Sequence, residues 1–245
     1  MKWLVHKFGG TRVADAAKYK NLAKLVAHEK NFKTAIVVSA MSKVTDALIE
    51  LGELAKVQNP KYLEKIDALK QRHLQTVAEL LPVDQQSPLK KVFDEDFEVL
   101  KQVLNGVWHL KSINDRTTEL ISGHGELWSA QMLNAYLKSL NLKSQWLDAR
   151  KVLIVEPGET AVNVLWPETQ ERIDRWLKET PTELLVITGF VASTPDEIST
   201  TLRRNGSDYS ASIFGSLLNA ESINIWTDVD GVLSADPRLV PKLSY

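Results

Sequence analysis

The chain contains no cysteine in 245 residues. That excludes a cysteine nucleophile, a thiolate zinc site, an iron–sulfur cluster and any disulfide framework. It also lacks an excess of charge of either sign. Thirty Lys and Arg against 31 Asp and Glu leave a formal charge of −1, so bulk electrostatics gives no reason to expect a nucleic-acid partner. Long apolar runs are missing too. The longest uncharged stretches, Leu184–Pro195 and Tyr209–Ala220, have 12 residues each, where a bilayer span needs about 20. The N-terminal MKWLVHKFGG carries a short apolar stretch but no small-residue cleavage site. The expectation is a soluble cytoplasmic protein without a membrane partner. No lysine follows any glycine, so the Walker A loop is absent. The five histidines show no metal-ligand spacing, and no protein-held metal is expected.

What is present is ordinary globular material: 44% hydrophobic and 25% charged residues. A chain of this length buries roughly 70% of its unfolded surface without a staple. No repeat and no linker-like shift in composition divides it, so residues 1–245 are read as a single domain. Trp3–Phe8 is a short apolar run ending in Gly9-Gly10, a strand meeting a tight turn. Helical spacing runs from Val13 to about Glu29, a second buried strand covers Ala35–Val38, and another helix spans about Lys43–Lys56. Strand, helix, strand, helix in this order implies parallel β-structure with crossover helices.

From about residue 60 to 140 the pattern is nearly all helical, broken at Pro82-Val83-Asp84 and Ser87-Pro88 and more weakly near Asn105-Gly106 and Gly123. Strand signals return at Ser144–Leu147, Val152–Val155, Leu184–Phe190 and Ser222–Val229, with helices at Trp166–Lys178 and Ser207–Leu218. The fold class is therefore α/β: a mainly parallel sheet sandwiched by helices, with a helical insertion.

Four stretches carry candidate chemistry. In Lys7-Phe8-Gly9-Gly10-Thr11 a strand delivers a cation to its carboxyl end, and two glycines let the backbone approach a ligand beside a helix N-terminus. That arrangement suits an anion, above all phosphate, although a plain strand–turn–helix corner explains it equally well. In Thr201–Ser210, Ser207 or Asp208 can cap the following helix, while Arg204 offers a fork for a carboxylate or phosphate. Glu126 in His124-Gly125-Glu126 sits where a glycine admits a substrate, yet taken alone it reads as a solvated surface residue. Trp226–Gly231, followed by Asp236-Pro237-Arg238, reads as a buried strand ending in paired carboxylates, at the end where open α/β sheets bind ligands, or as a simple DG turn.

Taken in order, KFGGT (7–11), VVSAMSKVTDAL (37–48), GHGELWSAQML (123–133), VITGFVAS (186–193), RNGSDYSAS (204–212) and IWTDVDGVLSADPR (225–238) resemble the signatures of the aspartokinase family, of the amino-acid kinase fold. GHGELWSA is most similar to aspartokinases fused to homoserine dehydrogenase. The resemblance implies transfer of the ATP γ-phosphoryl group, with Mg²⁺ bridging phosphates, to the side-chain carboxylate of L-aspartate. That is the first step toward lysine, methionine and threonine. By resemblance, Lys7 stabilises the transferring group, and Gly9, Gly10 and Thr11 hold the phosphates. Ser39, Thr45 and Glu126 line the aspartate pocket, and Arg204 pairs with the α-carboxylate. Asp208 orients the amino group and Lys7. Thr227 and Asp228 lie at the nucleoside and Arg238 at the ATP phosphates, with a nucleotide-side half at about 184–245. The resemblance leaves room for a homodimer.

The chain departs from the family pattern in three places. Arg12 stands where KFGGTS has Ser, a cation expected at a helix start, where the dipole disfavours it by roughly 0.3–1 kcal/mol. Arg203 stands where LGRNGSD has Gly, a position expected to be strained if left-handed and able to obstruct the pocket. The sequence stops at Tyr245, before the family's further helices and ACT domains, so feedback through them is not expected from these residues. These departures motivate an alternative, a non-catalytic homologue that binds nucleotide or aspartate.

Overall fold

The computed structural model describes residues 1–27, 31–158, 162–203 and 206–227. The first strand, β1 (Trp3–Phe8), is the run read from the sequence, and all six residues are buried. Gly9 continues it in extended conformation, and a short 3-10 turn covers Gly10–Val13. Helix α1 (Ala16–Val26) starts later than the apolar spacing suggests, because the Asp15 carboxylate accepts the Lys18 N–H and sets the cap there. Strand β2 (Lys33–Val38) leads to α2 (Val44–Lys56) through a loop in which Lys43 is left-handed, with φ 64°.

The helical section comprises α3 (Lys61–Leu80), α4 (Ser87–Leu110), α5 (Asp115–Ser122) and α6 (His124–Ser139). Pro88 falls in the first turn of α4, where its missing N–H has no intrahelical role. The break expected at Asn105-Gly106 does not occur: α4 runs straight through it. Phe97, Leu100, Leu104 and Val107 form one buried stripe across that point, and their packing outweighs the roughly 1 kcal/mol by which glycine disfavours a helix. The chain turns instead at Lys111, which is left-handed, and Asn114 caps α5 through the Thr117 N–H. The weaker break at Gly123 is real and joins α5 to α6.

The remaining elements are β3 (Ser144–Leu147), β4 (Val155–Glu156), β5 (Asn163–Val164), α7 (Trp166–Glu179), β6 (Leu184–Thr188), β7 (Val191–Ser193), β8 (Ser199–Thr201), α8 (Gly206–Leu217) and β9 (Ser222–Trp226). The strand expected at Val152–Val155 is mostly irregular; Val155 pairs, antiparallel, with Val164, and Ile154 makes a single parallel bridge to Ser193. Its four residues are buried, and a buried apolar run does not by itself distinguish strand from packed coil. Among the described residues, five strands form one parallel sheet in the order β3–β6–β2–β1–β9. Among the described residues β9 is the edge of this sheet, with Ile223 and Ile225 exposed, not the buried strand the sequence suggests; Asp228 and Val229 lie outside the described residues.

One core fills each face of the sheet. Phe8, Ile36, Val38 and Val186 pack against α1–α4 and α6. Val5, Ala35, Val37 and Ile187 pack on the opposite side with α7 and α8. Strand alternation therefore sends Lys7, two residues after Val5, toward the α8 side. The register sets Phe8 beside Val38 and Trp226, so β1, β2 and β9 release Gly9, Ser39 and Thr227 at the same level.

Helix α6 reaches this level from below. Residues 124–130 are buried on every side, and Trp128 donates its indole N–H to Asp96 at 2.9 Å. A Cβ on Gly125 would stand 2.7 Å from the Ala40 Cβ and 3.0 Å from the Val44 Cγ1. Gly125→Ala is thus expected to lower Tm by on the order of 5 °C, although alanine is the better helix former. Thermal unfolding followed by circular dichroism checks this, and a raised Tm would show that the contact yields freely.

Candidate active site

A cleft of about 390 Å³ opens where β1, β2 and β9 end. Its walls include Gly9, Gly10 and Thr11 from the turn after β1, Ser39 and Thr45 from the connection between β2 and α2, and Glu126 from α6. Ser207 and Thr227 complete the rim. Segments far apart in sequence meet here because the parallel sheet brings its carboxyl ends together.

The central electrostatic contact joins two of these segments. The Lys7 ammonium lies 2.6 Å from an Asp208 carboxylate oxygen; the lysine side chain is 8% exposed and the aspartate 46%. Asp208 occupies the first turn of α8, where the helix dipole favours a negative charge. The pair supplies a partner for a buried cation and leaves the carboxylate open to solvent on one side. Ser39 and Ser207 share a hydroxyl–hydroxyl bond of 2.8 Å that ties the β2 end to α8 nearby.

The glycine turn is shaped by close approach, not by left-handed backbone. Gly9 is extended, and its N–H donates to the Trp226 carbonyl at 3.3 Å. A Cβ on Gly10 would lie 3.0 Å from the Ala40 carbonyl oxygen. Gly10 and Thr11 open the 3-10 turn, so their N–H groups have no intrahelical acceptor. The phosphate-cradling expectation for residues 9–11 thus rests on Gly10 and Thr11 more than on Gly9.

Glu126 is not the solvated residue its local sequence suggests. It is 4% exposed, and one carboxylate oxygen has no hydrogen-bond partner among the described residues. Burial pushes its carboxyl up to about 8, against the opposing pull of the Ala40 and Glu126 N–H groups and the Lys7 charge. A carboxyl group perturbed this way at the wall of a cleft marks a candidate functional residue. Among the described residues, no group of three or more acidic or histidine side chains is placed to hold a metal ion.

Both arginine departures are accommodated. Arg12 does not stand at the start of α1. It lies within the 3-10 turn, and its Nε and Nη2 donate to the Thr227 carbonyl at 3.1 and 2.5 Å. Its guanidinium is turned away from α1 toward that carbonyl, and Arg12 clasps the glycine turn to the end of β9. Arg203 is left-handed, with φ 61°, as its alignment with a family glycine implies. Its side chain is exposed and approaches the Gly158 carbonyl. It borders a separate cavity of about 230 Å³ rather than filling the cleft. Arg204, Asp228 and Arg238, expected in the site, lie outside the described residues. Ser207 and the Met41–Lys43 turn also border the cleft. They lie within quoted motifs, but nothing in residue type alone distinguished them from caps and loop positions.

The model of the amino acid kinase family matches residues 2–245. The chain belongs to the amino acid kinase family. Within it, the chain is 41% identical over 239 residues to the bifunctional aspartokinase/homoserine dehydrogenase 2, chloroplastic, of Arabidopsis thaliana, covering 97% of this chain and 26% of that protein. It is 34% identical to the bifunctional aspartokinase/homoserine dehydrogenase 2 of Escherichia coli, covering 96% of this chain and 28% of that protein. The chain thus spans about a quarter of these relatives. Its fold matches the crystal structure of E. coli aspartokinase III in complex with aspartate and ADP, with a TM-score of 0.86 and 27% identity, over 99% of this chain and 53% of that one.

Two outcomes follow from the site's geometry. The Glu126 carboxyl rises from 4.5 to about 8 on folding. The neutral form is therefore the one the fold favours, and its stabilising effect is complete below about pH 4.5 and lost as pH rises through 8. Glu126→Gln is expected to match the wild type near pH 4.5 and to exceed it by up to a few kcal/mol above pH 8. Urea unfolding across that range measures the difference, and a constant gap would contradict the assignment. Arg203→Gly is expected to gain about 0.5–1 kcal/mol by relieving the left-handed backbone, offset in part by glycine's unfolded entropy; equal urea midpoints would show that no strain is stored there.

Proposed function

We propose that the chain is the kinase part of an aspartokinase, one catalytic domain over residues 1–245, which transfers the γ-phosphoryl group of Mg-ATP to the side-chain carboxylate of L-aspartate. The single observation that carries this reading is the Lys7–Asp208 pair, set at a glycine turn beside a buried carboxyl group with an unused oxygen. The aspartate and ADP complex of the aspartokinase III neighbour supports the choice of reactants.

In this reading the nucleotide would enter as Mg-ATP, the metal supplying charge neutralisation at the phosphates. The aspartate carboxylate attacks the γ-phosphorus, the bond to the β–γ bridging oxygen breaks, and ADP leaves with the electron pair; no proton changes place. The protein positions the reactants and neutralises charge. Lys7 faces the charge that spreads over the phosphoryl oxygens, and Asp208 holds the Lys7 ammonium in place. Gly10 and Thr11 present N–H groups to phosphate oxygens. Ser39 and Thr45 bond the acceptor, and the free oxygen of Glu126 receives its ammonium, with the incoming cation drawing Glu126 into its ionised form. Arg204 pairs with the α-carboxylate, Thr227 and Asp228 meet the nucleoside, and Arg238 meets the phosphates. No helix among the described residues is long and apolar enough to cross a membrane. A cytoplasmic setting belongs to the proposal, while the Arabidopsis relative is chloroplastic by name.

The test is aspartate-dependent ADP release from Mg-ATP, with the acyl phosphate trapped by hydroxylamine. Hydroxamate formation is expected from the wild type, and Lys7→Ala is expected to lose at least 100-fold in rate while keeping its circular dichroism spectrum. Binding of ATP or aspartate without turnover would favour the binding-only homologue instead, and a fully active Lys7→Ala would remove the phosphate-site assignment.

A further inference from the structure

The helical section is not merely packed against the sheet; one of its side chains reaches the loops that frame the cleft. Arg72 lies on α3, half-buried. Its Nη1 donates to the Ser42 carbonyl at 3.0 Å and its Nη2 to the Ala14 carbonyl at 3.1 Å. Ser42 belongs to the connection between β2 and α2 that carries Ser39 and Thr45. Ala14 closes the 3-10 turn that begins at Gly10. One guanidinium therefore bridges the two segments that, in the reading above, hold the two reactants.

Arg72 differs from its basic neighbours in the same section. Lys70 pairs with Asp94 and Lys101 with Asp67 and Glu98, all between or along helices. Among the described residues Arg72 forms no ion pair, and its terminal nitrogens go to main-chain carbonyls on two separate loops. Only a planar fork offers two nitrogens at fixed spacing; a lysine offers one. The loops also touch at their base, where Gly10 packs on the Ala40 carbonyl. Gly10 also lies against the Ser42 main chain, and Arg72 adds a second restraint on the same pair of loops through the Ser42 and Ala14 carbonyls.

We infer that Arg72 is a positioning residue which fixes the separation between the phosphate-binding turn and the acceptor-binding loop. It touches neither reactant. It acts by preventing the small relative shift that in-line transfer does not tolerate, since a displacement of about 1 Å can cost on the order of 100-fold in rate. The inference rests on the aspartate kinase reading for its kinetic consequence, but not for its structural one.

The experiment compares wild type, Arg72→Met and Arg72→Lys. The readouts are steady-state kinetics, thermal unfolding and amide hydrogen exchange of peptides covering residues 9–14 and 39–44. For Arg72→Met, kcat is expected to fall about 10- to 100-fold, while the KM for ATP and for aspartate each change less than about threefold, because each loop keeps its own contacts. Arg72→Lys is expected to recover Tm but not kcat, and it serves alone if the methionine variant does not fold. Exchange is expected to quicken in both loop peptides and to stay unchanged in Leu184–Thr188. Native kcat in a folded variant, unchanged exchange in the two loops, or a rise spread evenly over the chain would each overturn the proposal. If the wild type shows no aspartate-dependent turnover, the kinase reading fails, and the exchange pattern alone decides the role of Arg72.

Discussion

The Lys7–Asp208 ion pair is the contact on which the cleft depends. An ammonium taken out of water without a partner costs several kcal/mol. Lys7 is held in that position because β1 is a buried central strand whose alternation turns the side chain toward α8. Asp208 meets it from the first turn of α8, where the helix dipole already favours a carboxylate. The pair links the centre of the sheet to the helix that precedes β9. It also keeps a positive charge at a site whose glycine turn admits an anion. Because Asp208 stays half-exposed, the pair is not a sealed structural bridge, and in the proposed reading an incoming phosphate shares the lysine.

Around this pair the site is built by close approach. Gly125 lets α6 press on Ala40 and Val44, and Gly10 lets the first turn press on the Ala40 carbonyl. Residue 40 is thus the place where the strand ends, α6 and the glycine turn converge. The same compression buries Glu126 and leaves one of its oxygens without a partner. A buried carboxyl group with spare hydrogen-bonding capacity costs stability, and in the proposed reading the substrate ammonium relieves that cost, which links the packing of α6 to recognition. Arg12 and Arg72 add main-chain restraints on either side of the turn, one toward β9 and one toward α3.

Much of this architecture was legible in the sequence. The β1 run, α7, α8 and the parallel order of the sheet follow from short buried apolar runs alternating with helical spacing, and the KFGGT and RNGSDYSAS motifs pointed to Lys7 and Asp208. Misreadings arose where local signals compete with packing. Asn105-Gly106 looked like a break, but a continuous buried stripe carries α4 through it. Val152–Val155 looked like a strand, but apolarity reports burial and not hydrogen-bond partners. Arg12 looked like a helix-start cation, but Asp15 moves that start to Ala16.

By itself, then, the sequence determined the fold class, the family and the identity of the charged groups at the strand ends, because periodicity and motif spacing are local properties of the chain. Tertiary structure alone decided that Glu126 is buried with a free oxygen, that Arg12 clasps Thr227, and that Arg72 spans two loops 28 positions apart in sequence, Ala14 and Ser42. Each of these depends on contacts between segments distant along the chain. Burial, carbonyl orientation and the reach of a guanidinium are set only when the sheet has aligned its ends and the helical section has packed against them.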